Sequence, residues 1–133
     1  MAFQFSTTTR NAALDAIETT IGTAPTLEIR SGSAPATCAT ADSGTVLATM
    51  TLPSDWLAAA SSGSKALSGT WQDAAADATG TAGHFRIKVS TTCHIQGSIT
   101  VTGGGGDMTL DNTSIATGQQ ITITSFTITA GGA

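Results

Sequence analysis

The sequence predicts an all-β fold: a single antiparallel β-sandwich or jelly-roll-like domain with one short N-terminal helix. Three observations lead there. Near the C-terminus, Gln119 to Thr129 reads QQITITSFTIT, with Ile121, Ile123, Phe126 and Ile128 interleaved with threonines at the period of a half-buried strand. His84 to Ser90 alternates strictly, Phe85, Ile87 and Val89 against His84, Arg86 and Lys88. Threonine, which suits exposed strand faces, occurs 26 times beside 22 alanines and no tyrosine.

The C-terminal stretch organises the rest. Ser125 moves its apolar set from odd to even positions, and a one-residue change of phase turns side chains to the other face unless a bulge absorbs it. A bulge or bend is therefore expected near Ser125. So late a strand must enter a sheet built by earlier segments, which predicts long-range pairing. A chain of 133 residues fits one domain, and at that size roughly two-thirds of the unfolded surface can be buried. The division expected is an arm over residues 1–9 and one sandwich domain over 10–133.

In the arm, Phe3 and Phe5 share a face if extended, and either pack as an edge strand on their own domain or dock on a neighbouring subunit. From Arg10 to Ile21, Leu14, Ile17 and Ile21 recur at spacings of three and four, with Gly22 as a stop, which predicts a helix. Its narrow apolar stripe suits cladding on a sheet. Thr26 to Ser31 reads as a strand with Leu27 and Ile29 inward and Glu28 and Arg30 outward. Residues 32–44 form a thirteen-residue loop of small and polar residues, long enough to be functional or to contact a partner. Thr45 to Leu52 is the next strand. Pro53-Ser54-Asp55 opens a turn or short helix through Ala60, with Ser54 as cap and Trp56 closing one end of the core. Ala66 to Trp71 reads as a weak strand and Gln72 to Gly83 as a connector. His84, Arg86 and Lys88 form an exposed basic stripe, for an acidic partner or for Glu28 and the aspartates. Ile95 to Thr102 is a strand, Gly103 to Gly106 a flexible hairpin tip, and Met108 to Asn112 a short strand and turn.

Composition excludes several functions. Five basic and nine acidic side chains give a net charge of −4, which argues against direct nucleic-acid binding, since that needs clustered Lys and Arg to displace counterions. No segment approaches the roughly 18 apolar residues of a membrane helix, and the start MAFQFSTTTR lacks the basic and apolar regions of a secretory signal. So neutral a surface is expected to be covered in an assembly. Cys38 and Cys93 pair only if the fold brings them together, which two cysteines alone do not settle; a reducing compartment favours two buried thiols.

Candidate chemistry is sparse. Asp73 and Asp77, four apart, would share one side of a helical turn as an acid and base or a cation site, and Asp107 and Asp111 lack the EF-hand spacing. A small hydrolase would need two of these four aspartates in one pocket. Cys93-His94 is a poor metal pair, because adjacent strand residues face opposite ways. The four glycines lack the Lys-Ser or Lys-Thr of a P-loop, and no Gly-x-Ser-x-Gly elbow occurs. The expectation is a non-enzyme without metal or cofactor.

Three runs carry a resemblance: Gly44 to Leu52 (GTVLATMTL), Gly80 to Ile87 (GTAGHFRI), and Gln96 to Ile99 followed by Gly106 to Ile115 and Gly118 to Thr129. In order and spacing they resemble small structural proteins of tailed bacteriophages, of the head decoration, cement or fibre-like type. The resemblance implies a virion component on the capsid surface, made in the host cytoplasm. It implies a homotrimer that binds the major capsid protein on the outside of the shell and stabilises it. The alternative within the virion is a tail, fibre or adaptor component recognising another tail protein or a host glycan. The capsid or subunit contacts implied are Phe3, Phe5 and Arg10, with the loop at 32–44.

Overall fold

The computed structural model describes residues 3–133. In chain order these form α1 (Thr7–Ile21), β1 (Thr26–Ser31), β2 (Val46–Thr51), β3 (Ser64–Ala66), β4 (Trp71–Asp73), β5 (Gly80–Val89), β6 (Thr92–Val101), β7 (Met108–Leu110), β8 (Ser114–Ile115), β9 (Ile121–Ile123) and β10 (Thr127–Thr129). The fold is β-rich with one helix, as the alternation predicted.

The helix starts three residues before the apolar periodicity does, and Ser6 is the reason. Its backbone is extended and its Oγ accepts the Thr9 N–H at 3.2 Å, which caps the first turn and draws Thr7–Thr9 out of the expected arm. Of that arm, residues 1 and 2 lie outside the described residues. Gly22, at φ 93°, ends the helix and returns its N–H to the Glu18 carbonyl at 2.8 Å.

The main sheet runs β2-β1-β5-β6-β7, with β8 paired to the start of β5. The expectation of a purely antiparallel sheet fails at one place. β6 and β7 are parallel, Ile99 opposite Met108 and Val101 opposite Leu110. Parallel neighbours ordinarily need a long crossover; here the residues expected to form a hairpin tip double back instead. The Gly106 N–H reaches Thr100 Oγ1 at 3.0 Å, and Asp107 Oδ2 accepts the Ser98 N–H at 2.9 Å before the chain turns forward again beside β6. Glycine is required on that return. Gly103 and Gly105 have positive φ, and a Cβ on Gly104 or Gly106 would lie within 3.0 Å of Thr100.

The C-terminal stretch is not one bulged strand. It breaks around Ser125 into β9, which pairs with β4, and β10, which pairs with β3. The change of apolar phase is thus a change of partner. Phe126, at the break, packs edge-on against Phe85 of β5 at 5.6 Å and tilted against Trp71 at 5.6 Å. Leu27, Ile29, Phe85, Ile87 and Ile99 from one face of the main sheet join Trp56, Trp71 and Phe126 in a single buried cluster. Trp56 closes an end of this core as expected, fully buried, with its Nε1–H on the Gly22 carbonyl at 2.9 Å. Of the turn or short helix expected after Pro53, the chain makes a bend at Ser54 and Asp55 and no helix, and Leu57 then makes an isolated bridge to Leu67. The strand expected over Ala66 to Trp71 is replaced by β3 and β4 on either side of a turn.

Candidate functional site

The outer face of the main sheet carries a polar array that the alternating pattern places there. Across β1, β5 and β6, Glu28 is in register with Arg86 and Gln96, and Arg30 with His84 and Ser98. The sequence predicted this face to be exposed. In the structure Arg30, His84, Arg86 and Lys88 are all buried, Arg86 to 2% exposure. What covers them is the loop at 32–44, folded back over the sheet as a strap.

The strap is held almost entirely by polar groups of the sheet. Arg30 Nη1 donates to the Ser43 carbonyl at 3.2 Å, Arg86 Nη2 to Thr37 at 3.0 Å, and Gln96 Nε2 to Pro35 at 2.7 Å. Asp42 reaches inward as the counter-ion. Its Oδ1 lies 2.8 Å from Arg86 Nη1, and its Oδ2 lies 3.1 Å from Arg30 Nη2 and 2.6 Å from Lys88 Nζ. Glu28 completes the network with contacts to Arg30 at 3.1 Å and Lys88 at 3.2 Å. The Lys88 hydrogen bond, more than offsetting partial burial and aided by Arg86 and Arg30, holds the Asp42 carboxyl below its ordinary value of 3.8. Asp42 and then Glu28 in turn raise Lys88 above 10.5 against the opposing effect of burial. The basic stripe is therefore matched to Glu28 and one aspartate, as one of its two sequence readings had it.

Cys38 of the strap is disulfide-bonded to Cys93 of β6, with Cα atoms 5.2 Å apart. This overturns the expectation of two buried thiols. The physical signal was the unusual loop itself: thirteen residues with no large apolar side chain need something other than hydrophobic burial to hold them against a sheet. The bond also removes Cys93-His94 as a metal pair, and His94 is exposed beside Ala13 and Ile17 of α1. Among the described residues, no three His, Cys, Asp or Glu side chains converge to hold a metal ion.

The other predicted positions fall elsewhere. Phe3 and Phe5 form an edge-to-face pair with centroids 4.8 Å apart, 78% and 44% exposed. The Phe5 N–H is fixed to the Gly132 carbonyl at 2.7 Å. Arg10 lies one turn into α1, half-buried, with its guanidinium stacked so closely on Gly63 that a Cβ there would overlap it. Gly63 accepts the Ala130 N–H at 3.0 Å, so the three residues expected as contacts sit where the N-terminal segment meets the C-terminal tail. Asp73 and Asp77 both reach Thr49, accepting its N–H at 3.0 Å and its hydroxyl at 2.7 Å, and so close the edge of β2. Asp107 caps Ser98, and Asp111 lies apart on the rim of a groove with Asn112 and Gln119.

A second ionic cluster was not foreseen. Lys65 of β3, 1% exposed, places Nζ 2.7 Å from Asp15 Oδ1, 3.0 Å from Glu18 Oε2 and 2.9 Å from the Ala58 carbonyl. It lines a cleft of about 470 Å³ between α1 and residues 54–59. Burial alone would depress the Lys65 pKa, but the two carboxylates outweigh it and raise it.

Comparison of the chain with protein-family models, with curated proteins and with solved structures finds no match.

Proposed function

We propose that the chain is a structural protein of a tailed-phage virion, a head decoration protein that binds the outside of the major capsid shell as a homotrimer and stabilises it. On this reading it is neither enzyme nor cofactor carrier, and it acts at the capsid surface after assembly in the host cytoplasm. The main sheet and the two ribbons, β3–β10 and β4–β9, then form the two layers of a small β-sandwich.

The observation that carries the reading is the Phe3–Phe5 pair. Two aromatic rings stacked edge to face at the surface, with the Phe5 backbone fixed to Gly132, present apolar area, which suits a docking contact. Arg10, with its guanidinium against Gly63, is the third contact on this reading. Many modest contacts of this kind, repeated over a symmetric shell, add stability by linked binding.

The test is co-sedimentation of the purified protein with expanded capsids that lack it, followed by imaging. Saturable binding at regular lattice positions, weakened in Phe3→Ser/Phe5→Ser, supports decoration. Density confined to a tail or portal, with none on the shell, removes the decoration reading in favour of a tail, fibre or adaptor role.

A further inference from the structure

We propose that the strap is a redox-latched cover over an oxyanion-binding face, and that Asp42 occupies this site in the latched state as an internal stand-in for the ligand.

The cations of the site all come from the sheet, and each arginine also has a partner there. Two guanidiniums and an ammonium, from adjacent strands β1 and β5, converge on both oxygens of one carboxylate, which is the donor arrangement that recognises carboxylate and phosphate groups. Arg86 is positioned from the neighbouring strand β6 by Gln96 Oε1, at 3.1 Å from Nε and 2.8 Å from Nη2. Arg30 is positioned by Glu28 Oε1 at 3.3 Å and 3.1 Å. When Asp42 leaves, three cations face the single carboxylate of Glu28. Three of the chain's five Lys and Arg residues are committed here, although a sheet face under a loop is covered at least as stably by apolar residues.

The strap is built to leave. Its ends are Gly32 and Gly44, at φ 76° and 70°, and its internal hydrogen bonds are few: the Thr40 N–H to the Thr37 carbonyl, the Thr37–Thr40 hydroxyl pair, and a long bond of 3.5 Å from Ser43 Oγ to the Ser33 carbonyl. Each polar hold on it can be replaced by water or by an incoming oxyanion; the Cys38–Cys93 bond cannot. A cleft of about 670 Å³, lined by both cysteines with Thr40, Asp42, Arg86 and Thr92, opens beside that bond. It gives reductant and anion a common entrance. His84 lies on the same face, holds the Gly32 carbonyl at 2.8 Å through Nδ1, and keeps its buried Nε2 without a partner.

Release needs a dithiol reductant. Its thiolate attacks one sulfur of the Cys38–Cys93 bond, its second thiol displaces the mixed disulfide, and the dithiol closes to its own disulfide. Two electrons and two protons thereby pass to Cys38 and Cys93, which become thiols. Asp42 then competes for the cations only at the effective concentration set by a flexible loop.

The experiment is a ¹H–¹⁵N NMR titration of the full chain with inorganic phosphate, at constant ionic strength, before and after reduction with dithiothreitol. The oxidised chain is expected to show only the small linear shifts that chloride gives. In the reduced chain the amides of residues 32–44 move towards unstructured positions. Phosphate then produces saturable shifts at Arg30, Arg86 and Lys88, at least about tenfold tighter than in the oxidised chain. Reduced Asp42→Asn binds more tightly still, sulfate competes, and reduced Arg86→Gln loses binding while the amides of β3, β9 and β10 stay in place. Should Arg86→Gln disturb those amides, Lys88→Gln makes the same test. A reduced chain whose strap amides do not move overturns the latch. A strap that opens with phosphate shifts no different from those of chloride overturns the anion site.

Discussion

Lys65 Nζ lies 2.7 Å from Asp15 Oδ1, and through that contact the underside of α1 is tied to β3. The ammonium is enclosed while Asp15 is open to water on one side, so the two ends of the pair respond differently to mutation. Lys65→Ala removes the buried stem and the charge together and is expected to cost about 3 kcal/mol. Lys65→Met retains the packing and leaves two carboxylates that water can reach, so it should cost distinctly less. Urea denaturation of the two variants checks the order; equal losses would mean the ion pair, rather than the packed stem, dominates.

The two ionic clusters also set the pH range of stability. Asp15, through its hydrogen bonds from Lys65 and the Ala60 N–H, and Asp42, chiefly through Lys88, have folded-state values lowered from 3.8. Their contribution is present above about pH 4 and is lost as pH falls through the lowered folded values. Lys65 and Lys88 are raised above 10.5, so their contribution holds below that and is lost as pH rises through the raised values. Wild type should thus exceed Asp42→Asn in stability across neutral pH, with the gap closing in acid once Asp42 is protonated in both states. Thermal melts from pH 2 to 8, with the disulfide intact, measure that gap.

The Cys38–Cys93 bond joins residues 55 apart in sequence. Cross-linking a loop of that length restricts the unfolded chain, and its removal in Cys38→Ser/Cys93→Ser should cost about 2–4 kcal/mol. Denaturant midpoints with and without dithiothreitol give the figure, and the double variant should show no response to the reductant.

Trp71 donates its Nε1–H to the Trp56 and Ser68 carbonyls at 3.2 Å and 3.1 Å while its ring packs on Phe126. Trp71→Phe leaves both carbonyls without that donor and a small void beside them, an expected loss of about 2 kcal/mol. Phe126→Ala opens a larger cavity where ribbons and sheet meet, about 3–4 kcal/mol. Guanidinium unfolding followed by the fluorescence of Trp56 reports the first, and circular dichroism the second.

Phe3→Ser should leave the stability of the isolated chain within about 0.5 kcal/mol, because the ring is mostly in water. If the ring is a contact, the same change weakens assembly. A large loss of intrinsic stability would instead assign the pair to the domain's own packing.

Alternation along single strands was legible in the sequence: Leu27 and Ile29, Phe85 and Ile87, and the phase change at Ser125 all mark real features. Partner choice was not. Nothing local in QQITITSFTIT distinguishes one bulged strand from two strands that serve different ribbons, because that depends on where Trp71 and Lys65 already lie. The same limit hid the basic site. Arg86 and Lys88 occupy the outward positions of β5, as their alternation requires, and only the strap, a long-range element with no periodicity of its own, turns outward into buried. The helix start was missed for a local reason, since the cap at Ser6 precedes three β-branched residues that read as extended chain.

The late position of β9 and β10 governs when the domain can first exist. Ile123 closes on Trp71 and Thr127 on Ala66, so during synthesis β3 and β4 wait without their strand partners, and Trp71 without Phe126, until Thr129 has cleared the ribosome. Contacts of such wide separation form slowly, because their loop-closure entropy precedes any reward. A nascent chain stalled at Gly118 therefore exposes the aromatic half of its core, the state in which a chaperone binds it or a second stalled chain aggregates with it.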